Sequence, residues 1–201
     1  VLYKNEDIKR LKDEYDSDNI YILKKNIQRQ TGLKITQDID EIMENKNKYV
    51  VVQEMLQDPY TIDKRKINLR VYVLLVCQKN NMDVYVYDDG FMYYTKQAFV
   101  KGDPSDDNNI TTGYIDRQVY VDNPLTHKEF KTYLDSNRDN LNDAENKVYE
   151  SNQVISEIVF SRINKLMADI FVCYKGGVVF RKNHKLYNNI EYQIFGTDIG
   201  I

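Results

Sequence analysis

From Val51 to Val76 the chain reads VVQEMLQDPYTIDKRKINLRVYVLLV, two apolar runs joined through a polar stretch. The second run opens Lys66-Ile67-Asn68-Leu69-Arg70-Val71. Side chains of a strand alternate between faces, so Lys66, Asn68 and Arg70 share one face and Ile67, Leu69 and Val71 the other. An apolar face of this kind needs a covering layer. The opposite face lifts two cations onto the sheet, a plausible anion site.

The sequence downstream supplies partners for that strand. Ile67 to Gln78 and Met82 to Tyr87 flank Asn80-Asn81, an antiparallel hairpin signal. Asp88-Asp89-Gly90 predicts a further turn, leading to a strand over Phe91 to Thr95. The Val/Tyr alternation of this meander implies one covered face. Lys101 to Asn109 is polar and is expected to be a mobile loop. Thr126-His127-Lys128-Glu129 has the form of a capping box and opens a helix to about Ser136. Asp135 to Asn146 is polar and expected to be mobile. Between Val148 and Cys173, Val154, Ile155, Ile158, Val159, Ile163, Leu166, Met167 and Ile170 recur at helical spacing. They predict a long amphipathic helix, its stripe turned to the core and its end at Gly176-Gly177. Ile190 to Ile201 reads as a last strand.

Upstream, Asn5 can cap a helix reaching about Asp16, with Ile8, Leu11 and Tyr15 on one face. Tyr21-Ile22-Leu23 and Leu33 to Ile35 read as short strands around a loop containing Gly32. Thr36 or Asp38 caps a helix carrying Ile39, Ile42 and Met43, and a strand follows over Tyr49 to Gln53. The class is α+β, a mainly antiparallel sheet flanked by helices.

Charge narrows the function. With 28 basic against 31 acidic residues, the chain has no general attraction for nucleic acid or membrane surfaces. No segment reaches the ~18 apolar residues of a membrane span, and no secretory leader is evident. Cys77 and Cys173 lie far apart inside apolar runs, as buried reduced thiols of a cytosolic protein would.

Four positions can carry chemistry. Lys24, at a strand end beside the glycine loop, can hold phosphates as a point charge, or can be a solvated lysine. Gln53 to Leu56 offers backbone and an amide able to read adenine, while Gln53 alone reads as a strand-end hydrogen bonder. Arg70 can grip a carboxylate or phosphate through two bonds, with Lys66 adding charge; both can equally be matched to surface carboxylates. Asp198, an acid in an apolar strand, needs a partner, either Mg²⁺ or a hydrogen-bonded turn. His127 and His184 lack a third ligand at useful spacing and read as surface residues. The tyrosine-rich strands are a sheet face rather than a base-stacking platform.

The order of these segments is specific. YILKKNIQRQTGLKI, VVQEMLQDPYTIDKRKINLRVYVLLV, VYVYDDGFMYY, NITT and FGTD together closely resemble the tubulin–tyrosine ligase-like family, a branch of the ATP-grasp ligases, from about Leu2 to the last residue. The resemblance implies an ATP-grasp-like fold, with residues 1–65 as part of a central subdomain and 66–201 as part of a C-terminal one. It implies a peptide–amino-acid ligase in which ATP phosphorylates a carboxylate and an amine attacks the acyl phosphate. ATP and Mg²⁺ are then the cofactors. An amino acid and a protein acceptor, with tubulin tails one candidate, are the partners, and the enzyme is a cytoplasmic monomer. By the same resemblance Lys24 matches a phosphate-binding lysine, with Tyr21 in the position of a tryptophan. Thr31 and Gly32 match the phosphate loop, and Gln53, Glu54, Met55 and Leu56 the adenine hinge. Lys66 matches a nucleotide-binding lysine, and Arg70 the arginine that holds the transferring phosphate or substrate carboxylate. Thr111 and Thr112 fall on a pair near the nucleotide, and Asp198 on the first of three magnesium ligands.

Departures from the family pattern matter as much. Lys25 replaces a proline and Lys34 a loop glycine. Asn68 stands where an aspartate is usual, and Tyr93 where a substrate-binding arginine is expected. The second and third magnesium ligands are expected beyond Ile201, so a chain that starts at Val1 and stops at Ile201 is expected to be an inactive piece of a longer ligase. The alternative is a degenerate relative that binds nucleotide or a protein tail without ligation.

Overall fold

A computed structural model describes residues 1–27, 32–112, 115–137 and 153–201. It is an α+β protein, and the strand pairs given by register are antiparallel. Its residues group into two compact units: Val1–Ile67 with Tyr94–Ile115 and Ile201, and Asn68–Tyr93 with Asp116–Gly200.

In the first unit, α1 (Asn5–Glu14) precedes β1 (Tyr21–Lys24), β2 (Leu33–Thr36), α2 (Ile39–Asn45) and β3 (Val51–Glu54). The sheet order is β2-β1-β3. Leu2, Tyr21, Leu23 and Ile42 form its core, with Leu11, Tyr15, Ile39 and Met43 packed around them. The tyrosine at position 21 is therefore a packing residue: it stacks on Tyr15 at 5.6 Å, and its hydroxyl accepts from the Asp16 N–H. Asn5 does not cap α1. It is already helical, and Lys4 is the cap residue with no side-chain bond. Asp38 caps α2 by accepting from the Asp40 N–H.

Further along, β4 (Thr61–Ile62) turns into the start of β5 (Arg65–Gln78) through Asp63 and Lys64. Both turn residues are left-handed, φ 49° and 59°, the pair of positive φ values that suits a two-residue hairpin. Arg65 ties this start to the end of β6 (Asn81–Thr95) by donating to the carbonyls of Thr95 and Lys96. Thr95 and Tyr94 then pair with β7 (Thr111–Thr112). The expected mobile loop from Lys101 to Asn109 is held instead by side chains. Asp103 accepts from Ser105 and Asn108, the Asn109 amide donates to two carbonyls, and α3 (Asp106–Asn109) buries both asparagines.

The second unit holds the rest of β5, most of β6, α4 (Arg117–Asp122), α5 (His127–Ser136), α6 (Ile155–Val178) and β8 (Ile190–Gly200). Alternation along β5 is as the sequence dictates: Leu69, Val71, Val73, Leu75 and Cys77 are buried, and the residues between them from Arg70 to Val76 are half-exposed. Its whole length from Asn68 to Gln78 is laddered to β8. On the apolar side, α6 supplies the cover. Phe171 meets Phe195 at 5.2 Å, and the Thr197 hydroxyl lies 3.5 Å from the Met167 sulfur.

The helix α6 starts at Ile155 and continues through Gly176 and Gly177 to Val178, past the predicted stop. No side chain of its own caps it. Asp135 on α5 does so, accepting from the Ser156 N–H at 3.0 Å and the Ser156 hydroxyl at 2.7 Å. A carboxylate there also favours the positive end of the helix dipole. The earlier part of the predicted helix, and most of the polar segment before it, lie outside the described residues.

No turn occurs at Asp88-Asp89-Gly90, since β6 is one strand from Asn81 to Thr95. Gly90 serves a close approach instead. A Cβ there would overlap the Arg70 carbonyl oxygen and the His127 ring. The chain turns before β6, at Lys79 (φ 56°) and Asn80.

The capping box is present, with the Thr126 hydroxyl accepting from the Glu129 N–H and Glu129 accepting from the Thr126 N–H. Thr126→Ala is expected to cost about 1 kcal/mol, the usual value of an N-cap hydroxyl, as a shift of the urea midpoint at unchanged slope. Among the described residues no helix is long and apolar enough to cross a membrane.

Candidate functional site

The residues singled out by sequence fall into two groups, one in each unit. In the first unit, Lys24 ends β1 and donates from Nζ to Gln53 Oε1 on β3 at 2.9 Å. That bond orients both side chains, which remain at least partly exposed. Gln53 and Glu54 are exposed, Met55 is buried, and Leu56 is exposed again. The Met55 N–H donates to the Ile20 carbonyl, and the Met55 carbonyl accepts from Gln57. Gly32 is buried against Ile27 and Lys25, and its carbonyl accepts from the Lys25 N–H. Thr31 lies outside the described residues.

Lys66 belongs to the same unit. Its Nζ lies 3.5 Å from the Leu56 carbonyl oxygen and 5.2 Å from the centre of the Phe99 ring. Its backbone N–H donates to the Thr95 hydroxyl, and Thr111 pairs opposite Thr95. Burial pushes the Lys66 amine below the ordinary lysine range, and among the described residues no carboxylate offsets that. A cation desolvated without an acid is short of negative charge. Of the two cations that share one face of β5, Lys66 and Arg70, this is the one not matched to an acid among the described residues.

Arg70 is the matched one. In the second unit it stands opposite Asp198 in the β5–β8 register. Its Nε donates to Oδ1 at 2.6 Å and its Nη2 to Oδ2 at 3.3 Å. Asp198 thus has the partner its apolar strand demanded. Arg70 also carries the Tyr93 ring at 5.2 Å, and its side chain crosses Gly196. Asn68 is two residues before Arg70 on the same face and pairs with Gly200.

Some residues behave otherwise than their sequence context suggested. His127 is buried at the start of α5, 2% exposed, with its ring edge against Phe160 at 5.5 Å. Burial pushes its imidazole down, although Asp89 and Asp88 pull the other way. Its role is structural packing beside Gly90. Cys173 is exposed, Cys77 is buried, and both are free thiols. Lys34, in place of a loop glycine, pairs with Glu41 at 2.5 Å. That pair raises the lysine and lowers the carboxylate. Phe99, Thr95 and Gly196 were not foreseen as site residues. Gly196 had a signal, because a glycine inside a strand often marks a close approach.

Among the described residues no group of three or more histidine, cysteine or acidic side chains could hold a metal ion. Asp198 is a single, half-exposed carboxylate.

Tubulin glycylase 3B of Drosophila melanogaster is 26% identical over 145 residues, 63% of this chain and 19% of that protein. The chain therefore spans about a fifth of the length of that curated relative. The model of the tubulin-tyrosine ligase family matches residues 3–201, nearly the whole sequence, and the chain belongs to that family.

Proposed function

We propose that the protein is an ATP-dependent carboxylate–amine ligase that adds an amino acid to a protein acceptor, working through an acyl phosphate. The observation that carries this reading is Lys66, a half-buried cation beside the Leu56 carbonyl and the Phe99 ring with no carboxylate to neutralise it among the described residues. Such a group suits a phosphate. The fit extends to Lys24, held at a strand end by Gln53, and to Asp198. Mg²⁺ is commonly bound by one or two carboxylates together with phosphate oxygens and waters, so a lone Asp198 is compatible with one ligand position. Bound ATP would supply the phosphoryl group that makes a carboxylate reactive toward an amine.

The chain's own residues bind and neutralise. Lys24 and Lys66 would receive phosphate oxygens, and Gln53 to Leu56 would meet the base. Thr111 and Thr112 lie along the strand paired to Thr95, which holds the Lys66 backbone. Arg70 would hold the anion on which charge builds during transfer, the interaction worth most in such chemistry. Asp198 fixes that arginine and would present its remaining lone pairs to the metal.

The test is the intact protein with ATP, Mg²⁺, a panel of amino acids headed by glycine, and acceptors headed by tubulin, analysed by mass spectrometry. The glycylase relative is the reason for that order. Acceptor masses increased by whole amino-acid residues, with ATP consumed, are the expected result. Nucleotide binding with no product for any pair would favour a relative that binds without ligating, a reading that Asn68 and Tyr93 keep in view.

Two substitutions refine the assignment. Asn68→Asp restores the acid usual in the family and is expected to hold or raise turnover; a sharp loss would show that this position is used differently here. Lys66 gives a pH signature. A bound anion favours the charged amine, so affinity should decline as pH rises through the lowered Lys66 value, earlier than for an ordinary lysine. Lys66→Arg stays charged and should lose that alkaline decline, measured as non-hydrolysable ATP affinity against pH.

A further inference from the structure

The near-balanced charge of the chain conceals a segregated stretch in the second unit. From Ile170 to Ile190 the sequence contains no aspartate or glutamate, yet it carries Lys175, Arg181, Lys182, His184 and Lys185. All of these are exposed. Among the described residues none of them is in an ion pair.

Hydrogen-bonded turns hold this stretch between the end of α6 and the start of β8. The Val179 N–H donates to the Lys175 carbonyl, the His184 N–H to Arg181 and the Tyr187 N–H to His184. The His184 ring stacks on Phe180 with centres 4.1 Å apart. At the β5–β6 turn the Lys79 N–H donates to the Tyr187 carbonyl at 3.2 Å, which brings another exposed cation to the same end. β8 leaves these turns with an apolar row. Ile190, Tyr192 and Ile194 share one face by strand alternation and are 65%, 74% and 61% exposed. Tyr192 and Ile194 stand opposite the half-exposed Val76 and Leu74 of β5, so the apolar face spans both strands. Contiguous exposed apolar side chains of this kind mark an interaction surface.

The relief of that surface decides its partner. A protein partner is anchored by side chains that fill pockets. The hollow at this end, lined by Cys77, Lys79, Phe180, Tyr187, Asn189 and the half-buried Glu191, is about 10 Å³, room for about one water. Ile190, Tyr192 and Ile194 stand out from the sheet instead of lining a recess. Protruding tyrosine and isoleucine beside clustered lysine and arginine suit a fluid anionic surface, in which apolar side chains insert and cations meet headgroups.

We propose that this end of the second unit is a peripheral membrane contact. Lys79, Lys175, Arg181, Lys182 and Lys185 bind anionic lipid headgroups, and Ile190, Tyr192 and Ile194 insert at the interface. Such a contact needs no spanning helix, and it stands or falls independently of the ligase reading.

The test is sedimentation of the intact protein with vesicles of phosphatidylcholine alone and of an equal mixture with phosphatidylserine. Binding to the mixed vesicles only, weakening as salt is raised, is the expected result. Arg181→Gln combined with Lys182→Gln and Lys185→Gln should weaken it about a hundredfold, at about fivefold per cation. Tyr192→Ser combined with Ile194→Ser should weaken it about tenfold or more through lost insertion. Every substituted side chain is exposed, so circular dichroism and Tm should stay unchanged. Failure of the unaltered protein to sediment with mixed vesicles overturns the proposal, and so does vesicle binding that either combination leaves intact. Polyglutamate bound through the same three cations, with vesicles left unbound, would assign the surface to an acidic protein and end the lipid reading.

Discussion

Arg70→Ala is expected to lower ATP-dependent ligation about a thousandfold, the scale of removing one preorganised donor from a centre where charge develops. The side chain is the only arginine paired with Asp198 among the described residues, and it presents a planar fork already aligned by that carboxylate. Removing it takes away the fork and leaves Asp198 as an uncompensated negative charge that would repel an incoming anion. The fold should survive. Both partners are partly solvated, 31% and 48% exposed at their side chains, and such pairs contribute at most about 1 kcal/mol. Circular dichroism and the urea midpoint should therefore stay near those of the unaltered protein while turnover collapses. Arg70→Lys restores charge without the fork and should recover only part of the loss. Turnover in Arg70→Ala within tenfold of normal would remove Arg70 from the centre.

Gly90→Ala should be the most damaging small substitution for stability. The added methyl would be driven into the Arg70 carbonyl oxygen on β5 and into the His127 imidazole at the start of α5. The imidazole can move. The carbonyl cannot move without disturbing the strand, and β5 is laddered to β8 along the same stretch. Overpacking against backbone points to a cost of about 3 kcal/mol, which for a chain of this size is a fall in Tm of roughly 10 °C. Combining Gly90→Ala with His127→Ala relieves one of the two overlaps, so it should recover only part of the lost stability. A Tm within 2 °C or so of the unaltered protein in Gly90→Ala would mean that β6 can shift away from β5.

The elements with strong periodicity were legible from the residues alone. The β5 alternation and the capping box at Thr126 depend on local rules that tertiary structure did not override, whereas of the α6 stripe Ile155, Ile163 and Met167 are buried but Val154, Leu166 and Ile170 are exposed. Glycine was less legible. Asp-Asp-Gly is ordinary turn chemistry, yet Gly90 is there because another backbone comes close, and closeness is a property of the assembled sheet. Gly176 and Gly177 read as a helix stop, yet α6 runs to Val178. His127 shows the same limit: the capping box located it at a helix start, and only the packing of α5 against Phe160 and β6 buried it. At the candidate site, Lys66, Arg70 and Asp198 were readable as charges in apolar strands. That Arg70 and Asp198 face each other follows from the β5–β8 register, which joins positions 128 residues apart.

The carboxylate of Asp135 has an effect on how this fold can change over time. It fastens the first turn of α6 directly to α5, a link between the two helices that does not run through the chain joining them. Entropy alone penalises a longer connection weakly, about 0.6 kcal/mol for each doubling. A change in the length of that connection would leave this link in place, and with it the start of the helix that meets Phe195 and Thr197. An insertion that preserves Asp135 and Ser156 keeps both hydrogen bonds of that link.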